Sequence, residues 1–227
     1  LAIHFNREVN KGVELNPQKD MQPLLAVLDE TLNKDSFFLD LLAEEAGCSK
    51  DDILDYQFYI YNCDTPCRLG IHGEMLSSPR LDNLTSVHAC LSGIMNSRRE
   101  HGISAVLYDN EEIGSSTKQG AASPLMERVL EKLYLSLGYG RSSFLDALFG
   151  GFLLSLDVAH ALHPNQAEKY DSKDRICLNE GVALKLAVSQ AYATDASYVS
   201  VVEELCRQNI IPYRKFSNRS DIRGGST

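Results

Sequence analysis

Two kinds of periodicity divide the chain. Between residues 18 and 47 apolar side chains recur at helical spacing: Leu24, Leu25, Val27, Leu28 and Leu32, then Phe37, Phe38, Leu41, Leu42 and Ala46. Gly47 supplies a C-terminal stop. Residues 55–62 (DYQFYIYN) are aromatic and branched, which predicts a strand. From Ser78-Pro79 onward the pattern alternates. Leu84, Val87, Cys90, Leu91, Ile94 and Met95 predict a helix, and 103–108 (ISAVLY) a buried strand. Residues 124–137, with Leu125, Val129, Leu130 and Leu133 on one face, predict a helix, and 151–158 (GFLLSLDV) another buried strand. Strands over 182–188 and 210–216 flank a helix over 196–206. Such alternation predicts an α/β fold, a sheet flanked by helices on both faces. No internal repeat or low-complexity tract interrupts it.

Composition narrows the class. Hydrophobic residues make up 44% of the 227, enough to pack one large domain or two modest ones. A net charge of -9 and a pI near 5.1 oppose a phosphate-binding surface, so nucleic acid is not an expected partner. No run of about 18 apolar residues is present, so no membrane partner is expected, and no signal peptide is visible. The cysteines at 48, 63, 67, 90, 177 and 206 are too scattered for a disulfide framework. Reduced thiols in the cytoplasm are therefore the expectation. Cys48, Cys90, Cys177 and Cys206 are expected as small buried apolar residues, and Cys63 with Cys67 is too little for a metal clip. His72 and His101 are expected at the surface. Gly138, Gly140 and Gly224-Gly225 read as turns, since no Lys-Ser/Thr pair follows them. The chain opens at Leu1 in an apolar segment and stops at GGST, so a piece of a longer protein is expected.

Four carboxylates stand out by position. Asp82 precedes a predicted helix, Glu111 and Glu112 follow the strand ISAVLY, and Asp157 closes the strand GFLLSL. In open α/β sheets, sites form at the carboxyl ends of strands. Most acidic pairs are solvated surface, but each of these borders a run that should be buried, and a buried carboxylate needs a cation or several donors. Arg80 or Lys118 could serve structurally. A metal serves better, since carboxylate oxygen and imidazole suit zinc, cobalt or manganese. One carboxylate can bridge two cations about 3.5–4 Å apart, the role that suits Asp82. Adjacent residues of an extended segment point opposite ways, so Glu112 can hold a metal while Glu111 faces the water to be deprotonated. Asp157 would hold the other metal. His160 and His163 follow closely, as ligands, substrate contacts or structural histidines.

Several segments together resemble a known family. SPRLDNL (78–84), DNEEIGSSTKQGA (109–121) and LDVAHALHPN (156–165) look like three successive signatures of the aspartyl aminopeptidases, the M18 zinc metallopeptidases. LAIHFNREVN (1–10) and LNEGVALK followed by Tyr192-Ala193-Thr194-Asp195 (178–195) resemble two more, and GGST (224–227) the start of another. Their order and spacing agree over the whole chain.

The resemblance implies a dinuclear zinc aminopeptidase that removes an N-terminal residue from peptide substrates, preferring Asp or Glu. It implies Asp82 as bridging ligand, Glu112 and Asp157 as terminal ligands, and Glu111 as general base. The family's two histidine ligands lie upstream of Leu1 and downstream of Thr227, which moves His163, and less so His160, toward substrate contact. Lys185, with Tyr192 as a hydrogen-bond donor, is the candidate for an acidic substrate side chain; a solvent-facing Lys185 is the alternative. Residues 1–76 resemble part of an inserted oligomerisation domain and 77–227 part of the catalytic domain. His4 is like a histidine that reaches a neighbouring subunit's site. A homo-oligomer is implied, a dimer building up to a tetrahedral dodecamer. The chain departs from the pattern at Gly181-Val182, where the family has Pro after Gly, at Ser189-Gln190-Ala191-Tyr192, and at Tyr170-Asp171. These changes lie near the substrate side-chain pocket that the resemblance implies and favour a broader aminopeptidase as a competing reading; the inserted domain supports, further off, a self-assembling scaffold without turnover.

Overall fold

A computed structural model describes residues 12, 14–27, 36–98, 102, 104–187, 194–219 and 221. The chain divides into two units, Leu1–Tyr61 and Asn62–Thr227.

In the first unit, α1 (Pro17–Asp20) is a single turn, capped where Asn16 Oδ1 accepts the Gln18 N–H at 2.9 Å. Residues 22–27 are not helical, contrary to the sequence pattern. Pro23 lacks a backbone donor and biases Gln22 away from helical angles. Helix α2 (Phe37–Ala46) does form, and Gly47 closes it in the left-handed conformation, φ 66°. The strand expected over 55–62 is absent. Its aromatic alternation serves packing on a helix instead: Tyr56 and Phe58 each meet the Phe38 ring edge-on at 5.4 Å.

The second unit opens with an antiparallel hairpin of β1 (Cys67–Leu69) and β2 (Met75–Ser77). Helices α3 (Leu81–Asn96) and α4 (Leu125–Ser136) follow as predicted. Helix α5 (Arg141–Phe149) does not stand out from the pattern. Gly138, at φ 90°, turns the chain before it, and Phe144 of α5 is 3% exposed, packed against Tyr134 of α4.

The α/β expectation is borne out most clearly at the C-terminal end. Strands β3 (Val182–Leu186) and β4 (Tyr213–Ser217) pair in parallel, from Val182↔Tyr213 to Leu186↔Ser217, and α6 (Ala196–Gln208) connects them. Asp195 caps α6 by accepting the N–H groups of Ser197 (2.9 Å) and Tyr198 (3.2 Å). Val199 and Cys206, two turns apart, are buried, and Phe216 is 2% exposed. The Val182 N–H donates to the Pro212 carbonyl at 2.9 Å. A proline at 182 would lack that donor, so the chain's departure from the family pattern adds a ladder bond here.

Two expected strands are not formed. Residues 104–108 and 151–158 pair with no other strand among the described residues; the nearest pairing is a single parallel bridge between Asn110 and Gly120. An apolar run becomes a strand only when a neighbour takes up its N–H and C=O groups, and here the side chains stay open, Leu153 at 73% exposure. Cys206 is buried and Cys90 half-buried, as expected, whereas Cys48 and Cys177 are exposed. Cys48 lies just past the end of α2 and Cys177 in a turn closed by Glu180, positions with little around them to bury a thiol. Among the described residues no helix is long and apolar enough to cross a membrane.

Candidate metal centre

The irregular first turn of α3 sets Asp82. Arg80 takes a left-handed conformation (φ 62°), and Asp82 (φ -82°, ψ 111°) and Asn83 (φ -121°, ψ 27°) leave helical geometry. Regular helix resumes from Leu84, so the Asp82 carboxyl is displaced from the apolar stripe of α3. Asn83 donates its side-chain N–H to the Leu156 carbonyl at 3.2 Å. That contact joins the segment of Asp82 to the segment of Asp157, 73 positions apart. Asp157 is oriented in turn by the Val158 N–H, which its Oδ1 accepts at 2.7 Å.

Glu111 and Glu112 sit on a loop closed upon itself. Asn110 bridges to Gly120 and donates to Thr117 Oγ1 at 3.1 Å. The Ala122 N–H reaches the Ser115 carbonyl at 3.0 Å, and the Gly114 N–H the Glu111 carbonyl at 2.9 Å. Gly120 is buried against Ser115, where an added Cβ would strike the Ser115 backbone. The loop therefore presents two adjacent carboxylates from a backbone that its own hydrogen bonds define.

These segments bring all four predicted carboxylates within electrostatic reach. Asp82 is raised above the ordinary carboxylate value, first by desolvation, then by the charge of Asp157, a hydrogen bond with Asp157, and the charge of Glu112. Glu111 is raised by desolvation and then by Glu112, Asp157 and Asp82. The arrangement is an excess of negative charge that a divalent cation would relieve.

The donor set fits such a cation in kind, being hard carboxylate oxygen. Among the described residues, no three His, Cys, Asp or Glu side chains are already gathered as a metal cage. Asp82, Asp157 and Glu112 are thus neighbours by charge, with donors still to be added.

The other candidates fall elsewhere. His160 packs edge-on against Phe216 of β4 (5.2 Å) and against Tyr170 (5.3 Å). His163 caps the 3-10 turn Pro164–Lys169, its Nδ1 accepting the Asn165 N–H at 3.2 Å, which leaves Nε2 for any other partner. Lys185 is half-buried on β3, in register with Phe216. Tyr192 and His4, like His101, lie outside the described residues; His72 is exposed. Sequence reasoning missed Asn83 and Asn110. The signal was a repeated Asp-Asn pair, 82–83 and 109–110, whose asparagines both tie a site segment in place.

Comparison with known proteins identifies the family. The family model for aminopeptidase I zinc metalloproteases (M18) matches residues 1–227. Probable M18 family aminopeptidase 2 of Clostridium acetobutylicum is 42% identical over all of this chain and 53% of its own length. The Clostridium novyi protein of the same name is 43% identical with the same coverage. The chain spans about half the length of the curated relatives it matches. Among solved structures, the Ape4 and Nbr1 complex matches the whole chain and 47% of its own with a TM-score of 0.84 at 29% identity. The S. cerevesiae mApe1 dodecamer matches 80% of the chain and 43% of its own with a TM-score of 0.65 at 29% identity. On the family-model match and these identities, the chain belongs to the M18 family of zinc metalloprotease aminopeptidases.

Proposed function

We propose that this chain carries the acidic part of a dinuclear zinc site in an aminopeptidase that removes N-terminal Asp or Glu from peptides. The observation that carries the reading is the convergence of Asp82, Glu111, Glu112 and Asp157 from three separated segments. Asp82 would bridge the two ions, with Glu112 and Asp157 holding one each, and histidines beyond this chain completing the set. The ions, zinc here with cobalt or manganese as alternatives, supply Lewis acidity toward the scissile carbonyl and the attacking water. Glu111 carries a proton on its carboxylate from that water to the departing amine. Its raised affinity for a proton suits a group that must hold one briefly.

Residue preference rests on the β3–β4 face. Lys185 and Phe216 are lateral partners and project to the same side of the sheet. His160 packs on Phe216, so Lys185 shares its side of the sheet with an aromatic ring and an imidazole. A carboxylate side chain of the substrate suits that combination. His163, through Nε2, would contact the substrate, with Tyr192 as a further donor and His4 reaching a neighbouring subunit. Residues 1–76 would belong to an oligomerisation domain and 77–227 to the catalytic domain. A homo-oligomer, a dimer building up to a dodecamer, is supported by the mApe1 dodecamer among similar structures. The working compartment is the cytoplasm.

Glu111→Gln in the full-length protein should lower hydrolysis of an aspartyl substrate about 10²–10⁴-fold with zinc content retained; wild-type turnover would sink the mechanism. A panel of aminoacyl substrates tests the preference. Lys185→Met should remove the advantage of Asp and Glu over Leu, and a wild-type profile that is flat or favours Leu or Lys would replace it with the broader aminopeptidase.

A further inference from the structure

We propose that Asn83 is the positioning residue that sets the spacing of the Asp82 and Asp157 carboxylates, by holding the Leu156 carbonyl beside the start of α3. The inference rests on the reading of Asp82 and Asp157 as metal ligands.

Asparagine where regular helix begins ordinarily turns its side-chain oxygen onto the first free N–H groups. Asn83 does not: its Oδ1 accepts no N–H among the described residues. Its amide group is directed away, to the Leu156 carbonyl at 3.2 Å. Its Oδ1 is buried and accepts no hydrogen bond among the described residues. An amide oxygen buried without a donor is costly to keep, and an apolar side chain of the same shape would avoid the unpaired acceptor. What the amide supplies is a link between two segments 73 residues apart, each with a carboxylate next to the linked position: Asp82 precedes Asn83, and Asp157 follows Leu156. Two like charges do not hold themselves together, so something must fix their separation before a cation arrives. The Asn83 tether does this from the backbone side and leaves the carboxylate oxygens free to ligate.

The test uses the full-length protein with Asn83→Leu, which keeps the branched shape and removes the unpaired acceptor, and Asn83→Ala. Zinc affinity is measured by competition with a chromogenic chelator, alongside the melting temperature of the metal-stripped protein and kcat and KM. Both variants should bind zinc about 10–100-fold more weakly. The metal-stripped Asn83→Leu protein should melt within a few degrees of wild type, and kcat should fall while KM stays within about threefold. Should Asn83→Ala fail to fold, Asn83→Leu decides alone. Zinc affinity and kcat at wild-type levels in Asn83→Leu would overturn the inference while leaving the metal reading intact. So would loss of zinc explained by unfolding of that variant without metal. A wild-type protein that takes up no zinc would overturn both.

Discussion

The β3–α6–β4 unit and the two segments that lead to Glu111, Glu112 and Asp157 all hold apolar runs, yet only the first forms a paired sheet among the described residues. Phe216 is 2% exposed and its strand is paired in register; Leu153 is 73% exposed and its segment has no strand partner among the described residues. The contrast teaches that local sequence suffices for a strand–helix–strand unit, because crossover and both strands lie within 36 residues. The site-bearing segments instead demand neighbours that these residues do not provide, in keeping with a chain that spans about half of its relatives' length.

The strongest way to break the contrast is by truncation. In the 227-residue chain, Phe216→Ala should destabilise by about 3–5 kcal/mol, the usual loss for a buried aromatic, measured by urea unfolding. The matching Leu153→Ala should stay within about 0.5 kcal/mol there, as for an open surface position. Equal losses would mean that the two regions are equally packed. In the longer protein the Leu153→Ala loss should rise to about 2–5 kcal/mol if neighbouring strands cover it.

The same contrast explains what was legible in the sequence. Helices α2, α3, α4 and α6 follow from 3.6-residue periodicity, which needs no partner to be read. Strands β3 and β4 were legible because a helix stood between them. Residues 104–108 and 151–158 have strand composition, but strand is a property of a pair, and composition does not supply the second member. DYQFYIYN failed differently: Tyr56 and Phe58 alternate as a strand would, yet their common face meets Phe38 of α2. At the site the four carboxylates were legible because each borders an apolar run. Asn83 and Asn110 were not, because a tether is defined by what it reaches, Leu156 and Thr117, and neither is near it in a sequence pattern.

The smallest effect sharpens the self-sufficient side of the comparison. Asp195 caps α6, and its carboxyl is held below the ordinary value by the Ser197 hydroxyl and then by the Tyr198 and Ser197 N–H groups. A carboxylate whose folded-state pKa is depressed stabilises the fold fully above its unfolded value, about 3.9. That contribution disappears as the pH falls through the lower, folded-state value. Asp195→Ala should therefore lower the melting temperature by a few degrees at pH 7, and the difference from wild type should shrink steadily below about pH 4. Asp195→Asn keeps the accepting oxygen without the charge. It should retain most of the neutral-pH stability and lack this acid dependence, so its deficit against wild type is smaller than the alanine variant's at pH 7 and narrows below about pH 4. If the Ala and Asn variants melt alike at every pH, the cap is not what anchors α6, and the closed character of this unit rests on Val199, Cys206 and Phe216 alone.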